Sequence, residues 1–288
     1  MGFSLALSGG GLLGAAHIGV LKALENAGLR PVALAGTSAG GLVAGLYALG
    51  VTASDLEAAG ALITAHPERY FHINSELFAE LWPWNPTRAT GLINPSQFLS
   101  ELLNLAPLAS TTEDFLVPTV VTSVDLVSMR AIAFTNIPRV APLRGRWEVY
   151  HRVSLNLALG ATMALPGLFD APRWNNRVLV DGGTADTLPV DWAKALFHGP
   201  VVAVNVAVPP TVNANQVGIE EILSRSEDYA TQTLSELRAS DANVFSIAPM
   251  TQHVPFFGFN DYAMLIDHGY QAVQRVLPQL KQFIDSRQ

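Results

Sequence analysis

SLALSGGGLLGAAHIGVLKALENAGLRPVALAGTSAGGLVAGLYALG, residues 4–50, is the stretch on which the fold turns. Ser4–Ser8 is a short apolar run of strand type. Gly9, Gly10 and Gly11 make a turn, and Leu13–Ala27 carries apolar residues at 13, 16, 20, 21 and 24 before Gly28, a natural helix C-cap. Val32–Ala35 reads as a second strand and Gly40–Leu49 as a second helix. Strands joined through a helix lie parallel, because a long crossover is needed to start a second strand in the same direction. The stretch therefore predicts a βαβα unit and a layered α/β fold. Pro31–Ser54 also has the length and neutrality of a membrane span, with small-xxx-small spacing between Gly41 and Gly45. Gly36, Gly40, Gly41, Gly45 and Gly50 dilute its hydrophobicity, however, so strand, turn and buried helix is the better reading.

Composition narrows the function. Of 288 residues 49% are hydrophobic and 14% charged, against about 25% charged in an ordinary soluble domain, which excludes disorder. With 17 Lys+Arg against 24 Asp+Glu the formal net charge is -7, and no basic run exceeds two residues, so nucleic acid is not an expected partner. There is no cysteine, which removes disulfides, thiolate metal sites and a cysteine nucleophile. The N-terminus lacks a basic n-region and its apolar run is broken by glycines after Ser8, so no secretory signal and a cytoplasmic location are expected.

Beyond residue 50, Ala53–Ala65 and Pro95–Leu105 have helical patterns around an aromatic-rich stretch, YFHINSELFAELWPWNP at 70–86. Residues 52–115 are read as a mainly helical, aromatic-rich insertion in a single domain covering 1–288. Val117–Leu126, Met129–Asn136, Val178–Asp181, Val201–Val206 and Val244–Ile247 are strands, with the strongly apolar 201–206 expected in the sheet centre. Glu220–Arg238 is a long polar helix, and Tyr262–Ile284 a closing helix interrupted near Pro278.

Gly9, Gly11 and Gly14 match G-x-G-x-x-G between a strand and a helix. A dinucleotide site would also want a carboxylate at the end of the second strand, where Leu34-Ala35-Gly36 stands instead. A P-loop fails because no Lys-Ser/Thr pair follows the glycines. What does end the second strand is Gly36-Thr37-Ser38-Ala39-Gly40, a G-x-S-x-G nucleophile elbow. Such a turn holds the serine in an unfavourable backbone conformation with Oγ exposed, while the flanking glycines, Gly36 and Gly40, allow close approach. The glycine loop, one strand earlier, then reads as an oxyanion hole whose amides face the same crevice.

Together SGGGLLGAAHIGVLKAL and AGTSAGGLVAGLYALG resemble a patatin-like phospholipase of the compact bacterial type. LVDGG at 179–183 is similar to that family's Asp-Gly-Gly/Ala motif, ATMALPGLF at 161–169 to its Ser-x-x-x-Pro-Gly-x-Phe stretch, and LIDHGYQAV at 265–273 to its last helix. The resemblance covers nearly the whole chain. It implies a three-layer α/β/α fold with a mainly parallel sheet, and hydrolysis of lipid acyl esters by a Ser-Asp dyad. Carried over by position, Ser38 is the nucleophile, Asp181 its base, and Gly9, Gly10 and Gly11 the oxyanion hole. Two departures stand out. Leu13 occupies the place of a usual Arg or Lys, and Gly160 and Thr162 that of an Arg and a Ser, so two cations that would favour an anionic headgroup are missing.

A serine hydroxyl needs a nearby proton acceptor, and a buried carboxylate can serve. No metal or organic cofactor is required. The alternative is an α/β-hydrolase triad of Ser38, Asp181 or Asp125, and His253 or His268, although that fold places its serine after more strands. His17 reads as a packing histidine, and His66, His72, His151 and His198 form no ligand spacing. Tyr70, Phe71, Phe78, Trp82, Trp84 and the loop 253–259 suit either core or an acyl-binding, lipid-facing surface. Asp125 is expected to tie the loop carrying Asp181. The expected partner is a lipid ester, met in solution or peripherally at a membrane surface. A non-catalytic lipid-binding relative is the third reading.

Overall fold

In a computed structural model the described residues are 2–74, 89–141, 143, 145, 147–206, 217, 229, 241–251 and 258–287. The first fifty residues form β1 (Ser4–Leu7), α1 (Ala15–Asn26), β2 (Ala33–Thr37) and α2 (Ala39–Ala48), with β1 and β2 parallel from Ser4↔Ala33 to Leu7↔Gly36. A 3-10 turn at Gly11–Gly14 leads into α1. The sequence from Pro31 to Ser54 is thus divided between a strand, a turn and a ten-residue helix. No helix among the described residues is long and apolar enough to cross a membrane.

Later segments extend the sheet on both sides of this pair. β5 (Thr119–Asp125) joins β2 in parallel, and β6 (Arg130–Thr135) folds back antiparallel to β5. β7 (Trp147–Tyr150) lies parallel to β6, while β10 (Arg177–Asp181) runs antiparallel to β5 beside the short β9 (Arg173–Trp174). On the far side, β11 (Val201–Val204) pairs with β1 and β12 (Val244–Ile247) with β11, both parallel. The order is β12-β11-β1-β2-β5-β10-β9, with β6 and β7 branching from β5. The apolar 201–206 segment is therefore second from an edge, not central. Its strand, Val201–Val204, is all apolar because it is buried from both faces, as any interior strand is.

The period-two alternation of these strands separates two cores. Leu5, Leu7, Leu34, Val121, Val202 and Val204 point to one side, into a cluster shared with α1, α2, α3 (Ala53–Ala65) and α7 (Tyr262–Asp285). Ala6, Ala35, Val120, Ala133, Val201 and Ala203 point to the other, where α6 (Val190–Leu196) packs Val190, Trp192 and Ala193. Small residues on that face leave room for the Trp192 ring, which is fully buried. Each large apolar side chain so buried contributes about 1.5–3 kcal/mol before entropy is counted. The result is a mainly parallel sheet with helices on both faces.

The region 52–115 begins with α3, started by a capping box in which Thr52 Oγ1 accepts from the Asp55 amide and the Asp55 carboxylate accepts from the Thr52 amide. It continues with β3 (His72–Ile73), β4 (Gly91–Asn94) and α4 (Ser96–Leu103). With β8 (Gly167–Phe169), β3 and β4 make a separate three-stranded sheet, so the region is part helix and part strand. Strands of two to four residues are too short for an alternation to show in the sequence. Residues 75–88, including Phe78, Trp82 and Trp84, lie outside the described residues, as do nearly all of 220–238 and 252–257.

α7 runs unbroken through Pro278. Leu265, Ile266, Ala272 and Val273 before the proline and Leu280 and Ile284 after it are all buried, so packing of one continuous apolar face outweighs the lost backbone hydrogen bond. α7 meets α1 at backbone distance. A Cβ at Gly19 would lie 1.8 Å from the Ile266 carbonyl oxygen, and one at Gly269 would lie 1.9 Å from that of Ala16. Gly19→Ala or Gly269→Ala must push the helices apart, at a cost of about 1–3 kcal/mol or more. Thermal denaturation is expected to show a clearly lowered melting temperature for either variant, and an unchanged one for Gly28→Asn, which adds its side chain in open space and suits positive φ.

Candidate active site

β2 delivers Ser38 to the N-terminus of α2. Ser38 has φ 56 and ψ -126, a sparsely populated region for a residue with a Cβ, at a cost of about 1–3 kcal/mol. Its surroundings allow no slack. A Cβ at Gly36 would lie 2.3 Å from the Gly40 carbonyl oxygen, and one at Gly40 would lie 2.4 Å from that of Leu7. The strained residue is held from two sides, the Leu42 amide donating to its carbonyl at 2.9 Å and its own amide donating to Thr162 Oγ1 at 2.9 Å. Its Oγ donates to Asp181 Oδ2 at 2.5 Å.

Asp181 ends β10 and is 2% exposed. Its second oxygen, Oδ1, accepts from the Gly183 amide at 2.7 Å, so the carboxylate is aimed by its own turn. The neighbouring Gly182 sits over β5, where a Cβ would come 2.2 Å from Thr122 Oγ1. The segment after Asp181 then crosses back over the elbow. Thr37 Oγ1 lies 2.7 Å from Thr122 Oγ1 and donates to the Asp186 carbonyl at 2.8 Å, and the Gly9 amide donates to the Thr187 carbonyl at 2.9 Å.

The Gly9 N–H is thus already engaged within the fold, by the Thr187 carbonyl. Gly10, at φ 151, and Gly11, at φ 54, turn the chain away, and their amides have no backbone acceptor among the described residues. Gly9 also provides contact: a Cβ there would be 3.3 Å from Ser38 Cβ. Ser8 anchors the loop. Its Oγ donates to the Gly9 carbonyl at 2.9 Å and accepts from the Val206 amide at 3.0 Å, and its carbonyl accepts from His17 Nε2 at 2.8 Å. His17 is fully buried in α1. Burial drives its pKa down to about 4, outweighing the upward pull of the bond to Ser8.

The other residues singled out from sequence fall elsewhere. Asp125, at the far end of β5, accepts from Arg177 Nη1 at 2.8 Å, from Ser128 Oγ at 2.5 Å and from the Val127 amide at 3.0 Å. Burial pushes its carboxyl up, but these bonds together hold it below the usual carboxylate range. Arg177 begins the strand that Asp181 ends, so Asp125 ties that strand to β5. His268 Nδ1 is engaged by the Met250 carbonyl at 2.6 Å, and His253 lies outside the described residues. The partner of the Ser38 hydroxyl is a carboxylate, with no imidazole between. Leu13 is half-buried against the main core, and a Cβ at Gly160 would already lie 3.3 Å from Leu99 Cδ2. Apolar contacts occupy both positions where the family resemblance led to cations. Among the described residues no group of three or more His, Asp or Glu could hold a metal ion.

Phe71 stacks on Phe98 at 5.0 Å and Phe259 at 6.1 Å and packs on Phe169 at 6.0 Å. The described part of the aromatic stretch is thus at the edge of the main core, beside a shallow groove lined by Pro67, Glu68, Phe71, Ile93 and Phe259. Thr187 and Ser8 were not singled out in the sequence, where each is one more hydroxyl residue among many.

A family model described as patatin-like phospholipase matches residues 5–194. An NTE family protein of Mycobacterium tuberculosis is 26% identical over 247 residues, 85% of this chain and 58% of that protein. A lysophospholipase of Yarrowia lipolytica is 28% identical over 202 residues, 70% of this chain and 12% of its own. Patatin-like phospholipase domain-containing protein 6 of Mus musculus is 30% identical over 205 residues, 70% of this chain and 13% of its own. The chain thus spans a little over half the length of its mycobacterial relative and a small part of the other two.

The buried histidine makes the site framework acid-sensitive. An unfolded imidazole titrates near 6.5 and His17 in the fold near 4, so between these values the unfolded chain binds more protons. Stability is full above pH 6.5 and falls as the pH drops towards 4, by on the order of 3 kcal/mol. The depressed Asp125 acts in a separate window, losing its contribution only below the ordinary carboxylate range. Melting temperatures from pH 7 to pH 4 are expected to fall steeply for the natural protein and less steeply for His17→Gln; parallel slopes would show that His17 is not the group responsible.

Proposed function

The chain belongs to the patatin-like phospholipase family, and from that premise we propose that it is a serine acyl hydrolase cleaving carboxylic esters of lipids through Ser38 and Asp181. The observation that carries this reading is the direct hydrogen bond from Ser38 Oγ to Asp181 Oδ2 at 2.5 Å. Ser38 Oγ attacks the ester carbonyl carbon as its proton passes to Asp181. The oxygen of the tetrahedral intermediate takes up negative charge facing the Gly10 and Gly11 amides and the positive end of α2. Collapse expels the alcohol, which leaves with the proton held by Asp181. A water then gives a proton to Asp181 and attacks the acyl-enzyme, and as the second tetrahedral intermediate collapses Asp181 passes that proton to Ser38 Oγ, releasing the fatty acid.

The position of the site supports this reading. β1 is where the strand order reverses, with β2 on one side and β11 on the other, and open α/β sheets bind ligands at such a point beyond the carboxyl ends of the strands. Lysophospholipid stands first among candidate substrates because a relative bears the name lysophospholipase. The apolar residues at Leu13 and Gly160 argue against strong selection for an anionic headgroup. β1 near one end of the chain and β12 near the other belong to one sheet and α7 closes on α1, which supports a single domain with an insertion at 52–115.

The test is fatty-acid release from lysophosphatidylcholine, phosphatidylcholine and a neutral monoester by the natural protein, Ser38→Ala and Asp181→Asn. Each variant is expected to lose activity by about a thousandfold or more, and to lose it on every substrate. Equal activity in Ser38→Ala would sink the hydrolase reading, and a lack of release by the natural protein would favour a lipid-binding relative. Cleavage retained by Asp181→Asn would point back to a histidine.

A further inference from the structure

Residues 162–164 touch both partners of the candidate site. Thr162 Oγ1 accepts from the Ser38 amide at 2.9 Å, and two residues later the Ala164 carbonyl accepts from the Asp181 amide at 2.9 Å. Both bonds go to backbone amides, so they fix where each residue sits and not merely how its side chain turns. Thr162 is the last residue of α5 (Leu155–Thr162) and is fully buried. The chain beyond it is tightly wound, with the Leu165 amide donating to Met163 at 2.8 Å and the Phe169 amide to Leu165 at 3.1 Å. α2 comes close enough for the first bond because position 41 is glycine, where a Cβ would lie 2.6 Å from Thr162 Oγ1.

We propose that Thr162 is a positioning residue, and that residues 162–164 set the registration of Ser38 against Asp181; this rests on the hydrolase reading above. Ser38 is held at φ 56, and its amide meets an acceptor only while the hydroxyl of residue 162 is present. Without that acceptor one of the two bonds that hold the strained residue is lost, leaving that of Leu42, and a small relaxation of the turn shifts Oγ against Asp181. The two bonds act on the backbone of Ser38 and Asp181, the pair that carries the proposed chemistry, so the effect is expected on the chemical step and not on substrate affinity.

Thr162→Val keeps the shape and removes the acceptor, whereas Thr162→Ser keeps the acceptor and removes the methyl group. For lysophosphatidylcholine hydrolysis Thr162→Val is expected to lower kcat about tenfold to a hundredfold with KM within about twofold, and Thr162→Ser to return within about threefold of the natural protein. A role in packing alone reverses the order, with valine tolerated and serine not. The proposal is overturned if Thr162→Val keeps its kcat or if Thr162→Ser falls as far as Thr162→Val. Hydrogen exchange at the Ser38 amide, followed by NMR, separates the two hypotheses. If the natural protein cleaves no ester the hydrolase reading falls by itself; faster exchange in Thr162→Val but not in Thr162→Ser then still supports the positioning role, and unchanged exchange in Thr162→Val overturns it.

Discussion

β2 and β10 meet end to end along one edge of β5. Thr37, the last residue of β2, is paired with Thr122, and Asp181, the last residue of β10, with Ser123. Because the first strand is parallel to β5 and the second antiparallel, both point at the same place, and Ser38, the residue after β2, meets Asp181 at the end of β10. Opposite them β6 pairs with β5 over its whole length, so β5 cannot shift its register to relieve the junction. Two residues 143 positions apart in sequence are thereby brought to hydrogen-bonding distance by a ladder of ordinary backbone bonds. A slip of one residue in either pairing would turn the paired side chain to the opposite face and dismantle the site.

The junction leaves little space, and glycines make it attainable. At Gly36, Gly40, Gly41 and Gly182 a methyl group would collide with a neighbouring backbone or threonine hydroxyl. The hydroxyls of Thr37, Thr122 and Thr162 fill the remaining gaps as donors and acceptors, all three residues being fully buried. A polar group in such a place is costly without a partner, so the threonines and the glycines constrain each other. The charged cluster of Asp125, Arg177 and Glu148 lies at the opposite end of β10 and steadies the strand without entering the site.

A serine bonded directly to a carboxylate lacks the tautomer control that an imidazole would bring. Its geometry must come from the main chain instead, through the Gly183 amide on Asp181 Oδ1 and the strained turn at Ser38. The glycine loop is fixed in the same way, by Ser8, Thr187 and a neutral, buried His17. These supports are uncharged.

The βαβα opening, the elbow at 36–40, α3 and the strands ending at Asp125 and Asp181 were legible because apolar periodicity and glycine placement act over a few residues. Asp-Gly alone marks a turn, so Asp181 stands out only through a family resemblance. The short strands β3, β8 and β9, the unbroken α7 and the edge-side place of β11 were not legible, because pairing with distant segments decides them. The commitment of the Gly9 amide to Thr187 and the bond from Ser38 to Thr162 join residues more than a hundred positions apart. Local sequence sets which chemical groups are available and the turns that present them. Which of those groups meet is settled in the folded chain, because hydrogen bonding is satisfied across the sheet and no local pattern records a partner's position.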